Sequence, residues 1–123
     1  MLAVIEAKEL IESNDFSEIE SVYTNNLPVE IQSNDDKTIA LITDVSTSTT
    51  LTGNNDFYAL KSTIELQIFY KLDVDIDIEE LHILLIKVFR KDGWLLDQLK
   101  DLTVDPDTLQ LSAVFYFTKI RYI

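Results

Sequence analysis

The sequence contains no cysteine, which excludes a disulfide framework and thiolate-based metal or redox chemistry and makes a reducing compartment the default expectation. Glycine and proline occur twice each, too few for a glycine-rich loop that cradles phosphate. His82 is the one histidine, so a histidine-rich metal site is excluded. No Gly-x-Ser-x-Gly elbow accompanies it, and a packed or surface imidazole is the expected role. Positive charge is scarce: 10 Lys and Arg stand against 22 Asp and Glu, for a net charge of −12. Such a chain does not bind nucleic acid through phosphate contacts unless its few cations are strongly segregated. No apolar run approaches the roughly 20 residues that span a bilayer. The opening stretch MLAVIEAKELIES has no basic lead-in and carries Glu6, Lys8 and Glu9 early, unlike a signal peptide. The expectation is a soluble protein made in a cytoplasm, with no membrane partner.

What is present suits one folded domain over residues 1–123. The chain is 46% hydrophobic and 26% charged, a balance that supports a core. Residues 2–13 read as a helix with Leu2, Ile5 and Leu10 near one side, and FSEIESVY as a second short helical turn through Phe16, Ile19 and Tyr23. The residue before Pro28 ends that piece. Val29 and Ile31 suggest a short strand, SNDDK (Ser33–Lys37) a turn, and Thr38–Val45 a β-branched strand. The polar run Ser46–Asp56, with five consecutive Ser and Thr residues, reads as a mobile loop. From Leu60 to Asp77 apolar residues fall on even positions and polar ones mostly on odd positions, which predicts a long half-buried strand with an extended exit. The period then changes. Ile78, Leu81, Leu84, Leu85, Val88 and Phe89 form one arc of a helix over 78–91, ended by Gly93. Trp94–Val104 reads as a strand, Asp105–Thr108 as a type I turn, and Leu109–Ile123 as a closing aromatic strand. The fold class that follows is α+β: a mixed, mostly antiparallel sheet of about five strands with two or three helices packed on one side.

Five carboxylates crowd the junction KLDVDIDIEELHILL. Asp73, Asp75 and Asp77 match the first three ligand positions of an EF-hand loop, but Ile78 and Leu84 stand where its glycine and bidentate glutamate belong. The alternation also makes this segment extended rather than wound round an ion. The structural reading accounts for each group instead. Asp73 and Asp75 continue the polar strand face, and Asp77 caps the helix with Glu80 three residues on. Lys87, Arg90 and Lys91 lie at the end where the helix dipole favours positive charge. No spacing singles out a carboxylate pair for acid–base work. No catalytic, cofactor-binding or metal-binding residue is assigned, and an enzyme is not expected.

Some apolar side chains exceed what a plain core needs. Ile83 and Ile86 fall outside the arc, beside Glu79 and Arg90. They suggest contact with another chain, unless a loop or the first helix covers them within the monomer. Phe69 interrupts the polar face of the long strand, and the last strand has no plainly polar face.

The order of elements resembles the tail terminator, or tail-completion, proteins of long-tailed phages of lactic-acid bacteria and their relatives. The resemblance rests on DFSEIESVYTNNLP, KTIALITDV, STIELQIFYKLDVDIDIEEL, KDGW and VDPDT, and covers most of the chain. It implies a structural protein of the virion, located at the neck region of the tail and assembled in the host cytoplasm. Subunits of that family form a hexameric ring on the tail tube protein, end tail elongation and present a surface to the head connector or stopper. DNA passes through the lumen without specific binding, which an acidic wall favours. The interface residues so implied are Glu79, Ile83, Ile86 and Arg90, with Phe69 and with Thr49, Thr50 and Leu51 of the polar run. Two other readings remain: a head-side neck connector or stopper, and a small acidic inhibitory protein that mimics DNA.

Overall fold

The computed structural model describes residues 1–32 and 36–123. Its elements run α1 (Ala3–Ser13), β1 (Ser21–Thr24), β2 (Ile39–Gly53), β3 (Asp56–Phe69), α2 (Ile78–Lys91), β4 (Leu95–Val104) and β5 (Leu111–Tyr122). The strands form one sheet in the order β1-β2-β3-β5-β4. β1 pairs with β2 in parallel, and every other pair is antiparallel. The class is therefore α+β with a mostly antiparallel sheet and two helices.

Period-two patterning sets the core. The register aligns Ile42, Leu66 and Phe115 across three strands, and Ala40, Ile68 and Ala113 in the next row. All six are buried, so one face of the sheet is covered. Val4, Ala7 and Ile11 of α1 and Leu81, Leu85 and Phe89 of α2, spaced three or four apart, join the same core. Phe89 stacks on Phe117 with centroids 4.3 Å apart. The Asp77 carboxylate accepts from the Glu80 backbone N–H at 3.1 Å, which caps α2 as expected. Gly93, at φ +95°, closes the other end. Its N–H donates to the Arg90 carbonyl at 3.0 Å, and the Trp94 N–H donates to that of Phe89 at 2.9 Å, the paired bonds of a Schellman motif.

Several expectations are corrected. The segment expected to be a second helical turn contains β1 instead, because its backbone is held by β2: the Asn25 N–H donates to the Ile42 carbonyl at 2.8 Å. Val29 and Ile31 lie in a turn, with the Ile31 N–H bonded to the Pro28 carbonyl at 2.9 Å. The turn expected over Ser33–Lys37 lies largely outside the described residues.

The expected loop at Ser46–Asp56 is the outer part of the β2–β3 hairpin. Asn54 and Asn55 both take left-handed φ values, 52° and 63°, as a two-residue type I′ turn requires. β3 stops at Phe69, and Asp73 turns the chain at φ 57°, so the extended exit to Asp77 does not form. The buried arc of α2 is also rotated. His82 is buried and Ile86 packs against the core, while Leu84 is exposed.

Candidate assembly surfaces

The eight residues expected to form an interface fall on three separate surfaces. Glu79, Ile83 and Ile86 meet in one groove of about 300 Å³ between α2 and β4, completed by Ile78, His82, Leu99, Lys100 and Leu102. Ile83 is 44% exposed there. Ile86 is half-buried and forms the groove floor, so it is no free stripe. Arg90 is exposed one turn further along the helix, outside the groove lining. Phe69 lies half-buried between Ile39 and Ser112 on odd-numbered β3 positions, opposite the core. Among the described residues both helices pack on the other face, and Leu41, Gln67, Val114 and Lys100 share a row on this one. Thr49, Thr50 and Leu51 lie on the hairpin, which extends past the last β3–β5 pair, Ala59 with Tyr122.

At the base of this arm is a cleft of about 850 Å³, bordered by the first turn of α1, Val45 to Thr47, Leu60 and the end of β5. Charge fastens its floor. Glu6 accepts from Lys119 at 2.5 Å and from Arg121 at 3.0 Å, and Asp92 accepts from Lys119 at 3.2 Å. Arg121 also donates to the Met1 carbonyl and to the Ser62 hydroxyl. Burial alone pulls the Lys119 pKa down, and the bonds and charges of Glu6 and Asp92 more than offset it, so the value lies above the ordinary one. This network ties α1, the α2 terminus and β5 together. The sequence carried a signal for it: Lys119 and Arg121 occupy the alternate positions that continue Phe115 and Phe117.

Acidic side chains collect at one end of the sheet. Asp15, Glu18 and Glu20 lie between α1 and β1. Asp73, Asp75 and Asp77 lie between β3 and α2. Asp105 and Asp107 lie in the β4–β5 turn. All three connections lie at that end, because β1 and β5 start there and β3 and β4 end there. Lys87, Arg90 and Lys91 lie at the opposite end, in the last turns of α2. The junction carboxylates act as caps and turn formers: Asp105 accepts from the N–H groups of Asp107 and Thr108 at 2.8 and 3.3 Å. Among the described residues, no group of three or more His, Cys, Asp or Glu is arranged to hold a metal ion. No described helix is long and apolar enough to cross a membrane.

A buried polar pair sits behind the groove. The Tyr70 hydroxyl lies 2.6 Å from His82 Nε2, and the imidazole meets Phe115 edge-on at 5.0 Å. The sequence marks His82 only as a packed or surface imidazole; its partner follows directly on the end of β3, which no local pattern reveals.

The curated proteins include none that matches this chain. A family model described as "Protein of unknown function (DUF806)" matches residues 2–121, nearly the whole length, and the chain belongs to that family.

Proposed function

We propose that the protein is a structural subunit of a phage tail neck, a tail terminator that forms a ring on the tail tube, ends its growth and offers a surface for head attachment. The observation that carries this reading is a pair of unlike, unpartnered surfaces on opposite flanks of one sheet. The β2–β3 arm projects on one flank, and the α2–β4 groove opens on the other. Head-to-tail rings need two different matching surfaces on each subunit, whereas a closed dimer needs one. The charge polarity is a second support. With the acidic end turned to the lumen, the ring wall repels DNA and lets it slide.

The test is native mass spectrometry over rising concentration, followed by addition to purified tail tubes. The expected result is a hexameric ring that binds tube ends and stops elongation. A chain that stays monomeric and never adds to tubes removes the reading. The head-side connector reading predicts instead that labelled protein is missing from tails purified before head attachment. A DNA mimic needs carboxylates along one elongated face, whereas eight of the acidic residues here sit in the three connections at one end of the sheet, with the α2 cations opposite.

A further inference from the structure

One long stretch of β backbone has no partner. β2 is bordered by β1 only from Ile39 to Ile42, yet it continues to Gly53. Among the described residues no strand pairs with the rest of that side. The Ile42 carbonyl faces it, since it accepts from Asn25. Alternation along β3 carries the same orientation past the register shift after Asp44: Leu66, Ser62 and Leu60 face Ile42, Thr47 and Thr49. Thr47 and Thr49 therefore turn their N–H and C=O groups outward.

Proteins usually blunt such an edge with charge, proline or repeated bulges. From Val45 to Asn55 there is neither charge nor proline, and there is a single register shift. The opposite edge, β4, is interrupted by two register shifts, so it offers an even run only between them, from Gln98 to Lys100.

We infer that the open edge of β2, centred on Thr47 and Thr49, receives the free edge of β4 from a second copy of this chain as an added strand. The inference rests on the ring reading. Charge argues for the occupant. Copies with a net charge of −12 repel one another wherever their acidic ends meet, and the uncharged arm is where like chains approach without that cost. Apolar contact supplies the rest: Val45, Leu51 and Tyr58 are exposed on the arm, and Leu95 and Leu102 along β4. β4 also forms one wall of the α2–β4 groove, so an arriving arm lies beside an apolar seat. Joining two unlike edges leaves the joined pair with one of each still open, one on either subunit, which a ring requires and an arm-to-arm contact does not provide.

The decisive variant is Thr47→Pro/Thr49→Pro. It removes two outward donors and takes none from the ladder with β3. Association about 100-fold weaker than that of the native chain is expected in native mass spectrometry, with the unfolding temperature of the monomer nearly kept. Should the variant build the same rings as the native chain, the edge contact falls and the ring reading stands. A native chain that never associates overturns both. Because the chain lacks cysteine, a second measurement needs no proline: Thr49→Cys and Gln98→Cys chains are mixed and treated with a short bis-maleimide. Mixed Thr49→Cys to Gln98→Cys adducts support the contact. Thr49→Cys adducts with themselves alone overturn it.

Discussion

Mild acid should weaken this protein through one buried pair. His82 is only 8% exposed, and its Nε2 takes the Tyr70 hydroxyl at 2.6 Å. Burial pushes the Tyr70 phenol above its ordinary range, so the hydroxyl keeps its proton, and with the imidazole in its Nδ1–H tautomer it donates to Nε2. Burial also lowers the His82 pKa, against the smaller upward pull of Glu79. Protonating the imidazole would place a charge in the core and remove the acceptor for Tyr70. The unfolded imidazole titrates near 6.5, so below that value the unfolded chain binds a proton that the folded chain refuses. Stability is thus complete above about pH 6.5 and falls as pH drops from there towards the lower folded pKa. The slope is at most about 1.4 kcal/mol per pH unit, which amounts to at most about 1.2 kcal/mol between pH 7 and 5.5. That corresponds to roughly 4 °C in the unfolding midpoint of a domain this size. The assay is thermal unfolding at several pH values in that window, on the native chain and on Tyr70→Phe/His82→Phe. The native midpoint should fall and that of the double variant should stay level. Equal slopes in the two proteins would refute the reasoning, because the loss would then come from other groups.

Three more outcomes follow from the packing. Phe89→Ala removes the ring stacked at 4.3 Å on Phe117 and should cost about 3–5 kcal/mol in urea unfolding. Asp77→Ala deletes the α2 cap at a cost of about 1 kcal/mol, whereas Asp77→Asn should keep most of it. Ile83→Glu, at a site 44% exposed, should shift monomer stability by less than about 0.5 kcal/mol. It should still block ring formation if the groove is an interface, as native mass spectrometry of the variant would show.

How much the sequence revealed depended on whether a segment's fate was set locally. The bounds of α2 were legible because Asp77 and Gly93 act on their own neighbours, through a side-chain cap and a positive φ. The alternation of β3 was legible because one face is buried. The outer arm was not, because Val45–Gly53 is largely exposed on both sides, and a strand that buries neither face shows no hydropathy alternation. Its clues were the β-branched threonines and Asn54-Asn55, which the polarity of the segment outweighed. The rotated arc of α2 has a long-range cause: Tyr70 offers His82 a partner, so a polar side chain enters the core and Leu84 is left outside. For the candidate surfaces, three of the four expected residues on α2, Glu79, Ile83 and Ile86, line one groove and Arg90 does not; β4 supplies the other wall, and a helical wheel carries no information about a neighbouring strand.

The two-asparagine turn also bears on the order in which the chain gains structure. It joins strands adjacent in sequence, so the hairpin can zip within microseconds, as isolated hairpins do. β3 must then wait for β5, whose residues lie about half the chain away, and pairing across such a distance carries a larger loop-closure cost. During synthesis the arm thus takes shape before the sheet is complete, and β5, which completes the central ladder, leaves the ribosome after the other four strands. Where many copies are made at once, early arms from neighbouring nascent chains can meet before their own sheets are closed, and premature tangling becomes the characteristic hazard of this topology.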